Sequence, residues 1–257
     1  MSPSYCLLLV SINLALGLFI QPQTHQKVYK SQLINYINMI PSDPTGSLDD
    51  LFFLKIYKEL VIEYLMEKVL VMIDAGFLSK VSHKLGERHY FKYDLLKFSK
   101  RLAGKQQLIF KHLFFYNAPP FQSPNPSLDE KKRKEDYDSF VQKLNRHKEV
   151  TIREGRCQRL KVDGKYIYKQ KGVDTLLTMD LMDMPLENPK IKTVILIASD
   201  SDFVPIVKRL KKLGIDVILH TYFERDRKSK FSTSNKLLNA VTRYVKLNKQ
   251  DFQECKF

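Results

Sequence analysis

The chain has 257 residues, 44% apolar and 28% charged, an ordinary composition for a soluble globular protein of one large or two small domains with a sizeable core. Its formal net charge of +15 is not ordinary, and because residues 1–65 hold four lysines against five acids, the surplus falls after them. So basic a region points to a polyanionic partner, nucleic acid before membrane, while three widely separated cysteines, Cys6, Cys157 and Cys255, exclude a zinc spacing and a disulfide scaffold and suit a reducing cytoplasm.

The run from Cys6 to Ile20 is the most apolar segment, yet it is too short to span a bilayer comfortably and lacks the lysine or arginine that a signal peptide carries ahead of its core. No stable membrane insertion is expected. Pro22, Pro41, Pro44 and Gly46 interrupt the chain, and Ser47 or Asp49 can cap an amphipathic helix over Leu51 to Leu65. Residues 1–65 therefore read as a helical or poorly ordered N-terminal extension. Met66 opens the α/β pattern, so translation is expected to start there and the domain to occupy 66–257.

Val69 to Ile73 predicts a buried strand ending in Asp74-Ala75-Gly76, where small residues let the backbone turn. Helices are predicted over Phe77 to Leu85 and Tyr93 to Leu102, a strand over Leu108 to Tyr116, a charged helix over Asp129 to His147 and a strand over Glu149 to Arg153. Lys131 to Lys134 reads as a solvated helix start. Leu160 to Tyr168 predicts a hairpin turning at Asp163-Gly164. A helix opens at Lys171-Gly172-Val173-Asp174. Val194 to Ala198 then predicts a fully buried strand followed by Asp200, Asp202 and a helix through Phe203, Ile206, Val207 and Leu210, closed by Gly214. Pro205 suits its first turn, where an N–H has no intrahelical partner. Asp216 to His220 supplies the next strand, Glu224 to Lys230 a basic loop, and Asn235 to Leu247 a last amphipathic helix. Strands alternating with helices argue a mostly parallel central sheet covered on both faces.

Asp74 and Asp200 fall at strand carboxyl ends, where open α/β sheets place their ligands. Asp202 follows two residues on, and Asp174 opens a helix. One aspartate at such a place is explained as a helix cap; several need a further reason. If the strands ending at Asp74 and Ser199 are neighbours, the four acids converge, and packed carboxylates raise one another's pKa unless a cation is present. Oxygen-only ligation suits Mg²⁺ or Mn²⁺ and not zinc. Such an ion activates water and neutralises phosphate charge. Ser199 can position a phosphate, or simply satisfy backbone; Lys171 can touch phosphate, or be solvated. The hairpin and its flanks carry Arg153, Arg156, Arg159 and Lys169 among Tyr166 and Tyr168. That pattern suits unpaired RNA and equally a solvated face. The histidines show no ligand spacing.

The signatures VMIDAG, FYNAPP, VTIREGR, KQKGVDTLLTMDLM and VILIASDSDFVPIVKRLKKLGIDVIL, in order from about Lys68 to Leu247, together resemble the NYN domain, the branch of the PIN-like nuclease superfamily that includes LabA-like proteins. The resemblance implies a PIN-like, Rossmannoid three-layer α/β sandwich and a metal-dependent ribonuclease, with Asp74, Asp174, Asp200 and Asp202 on the family's catalytic, metal-holding positions. Asp180 matches a further family acid. Lying roughly 240° round an ideal helix from Asp174, it reads as support rather than ligand. Phe77, Asn117 and Thr242 depart from the family's pattern, Asn117 standing as a neutral support residue where an acid is common. The expected partner is RNA, single strands included, with a homo-oligomer compatible. Two alternatives stand beside the ribonuclease: a non-catalytic nucleic-acid-binding module, and, more remotely, a haloacid-dehalogenase-like phosphatase read from Asp200-Ser201-Asp202.

Overall fold

The computed structural model describes residues 66–224, 231 and 235–257, and residues 67–257 form one compact unit. The expected N-terminal extension, its apolar run and its helix, the proposed start at Met66 and most of the basic loop after Glu224 lie outside what is described or are not settled by it. Among the described residues no helix is long and apolar enough to cross a membrane.

Six strands form an all-parallel sheet. In chain order the elements are β1 (Lys68–Asp74), α1 (Ala75–Leu85), α2 (Leu95–Lys105), β2 (Ile109–Asn117), α3 (Leu128–Leu144), β3 (Val150–Glu154), the hairpin β4 (Arg156–Val162) and β5 (Lys165–Lys171), α4 (Val173–Glu187), β6 (Thr193–Ile197), α5 (Val204–Lys212), β7 (Asp216–Thr221), α6 (Asn235–Ala240), β8 (Arg243–Lys246) and α7 (Lys249–Gln253). The spatial order is β3-β2-β1-β6-β7-β8, with β4-β5 a separate antiparallel ribbon. The chain steps outward from β1 to β3, crosses back to β6 beside β1, and then steps outward the other way. Ile73 pairs with Ile197 across that junction. The reversal of strand order opens a crevice at the carboxyl ends of β1 and β6, which is where the sequence set its acids.

The three layers follow from side-chain alternation. Val69, Val71, Ile73, Ile195 and Ile197 face α1, α2 and α7 in one core, while Leu70, Met72, Val194 and Leu196 face α4, α5 and α6 in the other. Both faces are buried, so β1 and β6 read as continuous apolar runs and not as alternating ones. The mostly parallel three-layer sandwich expected from the sequence is the architecture observed.

One element differs. The predicted helix over Asn235 to Leu247 ends at Ala240, and Arg243–Lys246 becomes the edge strand β8, pairing from Ile218↔Arg243 to Thr221↔Lys246. Thr242, Tyr244 and Val245 are β-branched or aromatic and fit a pleated surface better than a helix. Pairing with β7 then decides an ambiguous local pattern. Thr242 donates from Oγ1 to Asp216 Oδ1 at 2.9 Å, at the amino end of β7. It stands at the opposite edge of the sheet from the acids, so its departure from the family pattern does not bear on them.

Candidate acidic site

Each acid owes its position to a helix start. The backbone leaves β1 at Asp74 in an extended conformation, and Asp74 Oδ1 accepts from Phe77 N at 3.1 Å, capping α1. Asp200 repeats the device after β6: its Oδ1 accepts from Asp202 N at 2.9 Å and caps the 3₁₀ turn Ser201–Phe203 that leads into α5. Asp174 enters differently. Gly172 adopts φ 82°, a left-handed conformation that suits glycine, and so swings the chain from β5 into α4 with Asp174 in its first turn.

These segments come together in one cavity of about 970 Å³, lined by Asp74, Asp174, Ser199 and Asp200 from the sheet edge and by Asn117 from the end of β2. Burial pushes the Asp74 carboxyl up, helped by the charge of Asp174, with the Phe77 N–H pulling the other way. Partial shielding from water likewise raises Asp174 although its surface is exposed, with Asp200 and Asp202 adding repulsion and Lys80 opposing it. The charges of all four predicted acids are thus felt within one region, although Asp202 is exposed and is not part of the cavity lining.

The donors are carboxylate oxygens alone, the set a hard divalent cation prefers. As placed, no three acids, histidines or cysteines among the described residues are close enough to share an ion. The donor chemistry fits Mg²⁺ or Mn²⁺, and gathering the carboxylates round one ion takes side-chain rotation, which the exposed Asp174 and Asp200 allow.

The support residues take distinct places. Asn117 Oδ1 accepts from Ala118 N at 2.9 Å and from Gln170 Nε2 at 3.2 Å, tying β5 to the end of β2. A Cβ at position 76 would meet Gln170 Oε1 at 2.8 Å and Asp74 Oδ1 at 3.2 Å, so Gly76 leaves room for the Gln170 side chain beside Asp74. Ser199 is half-buried in the cavity lining. Asp180 is turned to other work: it takes a bidentate contact from Arg153, both distances 3.0 Å, and a 2.9 Å bond from the Tyr116 hydroxyl. Burial first and Asp180 second hold that hydroxyl protonated far above its ordinary range.

Among the predicted nucleic-acid contacts, Lys169 lines the cavity, whereas Lys171 and Arg156 pair with each other across the exposed base of the ribbon. Arg153 is committed to Asp180. Arg159 lies between two rings, its Cζ 4.7 Å from the Phe121 centroid and 4.6 Å from that of Tyr166. The ribbon is thus braced by Arg159 and left charged along its rim.

Lys80 and Gln170 line the cavity without having been singled out by sequence. Lysine on an exposed helix face is too common to mark a site. The only usable signal for Lys80 is that its helix starts at a candidate acid.

A model of the NYN domain family matches residues 68–248. Among solved structures, a protein of unknown function from Vibrio parahaemolyticus is similar, at 18% identity and a TM-score of 0.45, over 73% of this chain and 96% of that one. No curated protein matches.

Proposed function

Because the chain belongs to the NYN domain family, within the PIN-like nuclease superfamily, we propose that it is a metal-dependent ribonuclease that hydrolyses phosphodiester bonds of RNA in the cytoplasm. The observation that carries this reading is that Asp74, Asp174 and Asp200, from three separate segments, line one cavity at the junction of β1 and β6. Acids from distant parts of a chain are costly to gather unless their charge is used.

Asp74, Asp174, Asp200 and Asp202 would hold Mg²⁺ or Mn²⁺, which when bound supplies charge neutralisation at the phosphate and acidifies water. The chain's own groups do the rest. Lys80 and Lys169 line the same cavity as the acids and offer positive charge to a scissile phosphate there. Gln170, held by Asn117, limits the open space beside Asp74. Asp180 binds Arg153 and Tyr116 and thereby ties α4, whose first turn carries Asp174, to the ends of β2 and β3. The exposed cations Arg156, Lys169 and Lys171 line up along the ribbon, where the backbone of an RNA strand is attracted to them.

The test is incubation of end-labelled single-stranded RNA with Mg²⁺ or Mn²⁺, beside Asp74→Asn. Cleavage by the parent and none by the variant is the expected result; parent protein that cleaves nothing defeats the proposal. A second reading, RNA binding without cleavage, is favoured by one observation: Asp74 and Asp200 each already use an oxygen as a helix cap, and among the described residues no three acids stand at ligating distance. Salt-sensitive binding with no product would establish it.

A further inference from the structure

A second hollow of about 700 Å³ runs along the exposed side of α1 and adjoins the acidic cavity, with Ser79, Lys80, Tyr90 and Phe231 lining both. Nothing in the acid cluster requires this extension. The Tyr90 ring is 65% exposed. It is braced from one side by His83, with ring centroids 4.9 Å apart, which leaves an aromatic face open to solvent.

Charge in the hollow is arranged to receive an anion. Lys80 and Arg88 line it and make no ion pair among the described residues. The acids nearby are already engaged, Glu87 by Lys249 at 3.0 Å and Glu224 by Lys84 at 2.7 Å. Arg88 is held on a fixed loop: its N–H donates to His83 O at 3.0 Å, and both Glu87 and Arg88 carry positive φ, 56° and 74°. Neither residue adopts that conformation cheaply, and a backbone held so is positioned rather than slack. The hollow therefore offers an exposed aromatic ring, two cations without an ion-pair partner among the described residues, and a shared wall with the acidic cavity. Single-stranded RNA presents the matching set of a base to stack and a phosphate beside it.

We propose that the hollow lined by Tyr90, Lys80 and Arg88 is a second nucleotide subsite, in which one unpaired base stacks on Tyr90 while an adjoining phosphate sits between Lys80 and Arg88, with the strand continuing into the acidic cavity. This rests on the RNA reading above. Lys80 lines both hollows and so lies where the strand passes from one to the other.

Full-length protein carrying Asp74→Asn, to prevent turnover, is titrated with a fluorescent trinucleotide and a fluorescent decanucleotide of uridylate, by polarisation. Adding Tyr90→Ala weakens the decanucleotide about 5- to 150-fold, the range for one stacked base, and leaves the trinucleotide unchanged. Tyr90→Phe restores the affinity. Arg88→Gln makes the dependence of decanucleotide affinity on salt shallower by about 0.7 in log–log slope, one phosphate contact on a single strand. Equal loss on both lengths, no loss on either, or no decanucleotide binding to begin with overturns the subsite. Failure of the parent to cleave RNA would overturn only the ribonuclease, because these titrations read binding without turnover.

Discussion

Asp251 and Glu254, at the carboxyl terminus, each face a cation from α2, Lys105 for one and Arg101 for the other. Asp74, Asp174 and Asp200, at the carboxyl end of the sheet, line a cavity together, and burial and neighbouring acid charge raise the proton affinity of Asp74 and Asp174. Asp251 is almost fully buried, yet its carboxylate has an ammonium partner and also accepts from Asn248 N at 2.9 Å. Asp74 is half-buried, accepts from the Phe77 N–H, and has no ion-pair partner among the described residues. The first region shows how this chain treats a carboxylate whose task is to hold the fold. The second shows carboxylates with no ion-pair partner among the described residues, only the more distant charge of Lys80 opposing them, an arrangement typical of sites built to act on a ligand.

The sharpest way to break the contrast is to remove one of these carboxylate charges and follow turnover. Asp174→Asn is expected to lower RNA cleavage by roughly 10³-fold, about 4 kcal/mol of barrier, in a single-turnover assay with Mn²⁺. If the cavity acids are held apart only by their own repulsion, a divalent ion should stabilise the parent. At a hundred times its dissociation constant, Mg²⁺ or Mn²⁺ is expected to add about 2.7 kcal/mol to the unfolding free energy, and Asp74→Asn protein should show little of this in the same denaturant titration.

On the other side of the comparison, Lys105→Ala strands the buried Asp251 and should cost about 2–3 kcal/mol by urea unfolding, with cleavage per folded molecule unchanged. The smallest effect has the opposite sign. Asp74→Asn keeps an acceptor for the Phe77 N–H but removes the charge, and should stabilise the ion-free protein at neutral pH by about 0.5–1 kcal/mol. The pH dependence identifies the cause. Because the folded-state pKa of Asp74 is raised, the folded protein binds its proton more tightly than the unfolded one. The parent's stability from this group is full below the ordinary carboxyl range, near pH 4, and is lost as pH rises through the raised value. The advantage of Asp74→Asn should therefore vanish in thermal melts at about pH 3 and grow toward neutrality.

Much of this was legible in the chain. Val69 to Ile73 and Val194 to Ile197 are apolar without interruption because both faces of the sheet are covered, and that pattern alone places Asp74 and Asp200 at strand ends. Gly172 and Asp174 marked the start of α4 correctly. Two things were hidden. β8 forms only through its pairing with β7, and its local pattern of Asn235 to Leu247 serves a helix equally well, so a non-local contact had to decide. The partners of Arg153 and Arg159 were also unreadable. Whether an arginine meets Asp180, sits between Phe121 and Tyr166, or reaches into solvent depends on where α4 and the loop after β2 fall, which spacing within the hairpin cannot report.

Among the described residues the sheet ends in two rim strands, and β8 is one of them. A rim strand offers unpaired amides to any neighbour able to lie alongside, the usual seed of runaway stacking between copies. Here that strand has four residues, begins with Arg243 and ends with Lys246. Two identical strands brought together antiparallel would set like charges against each other along a very short ladder. The late turn into β8 thus completes the sheet and leaves its border a poor template for self-association.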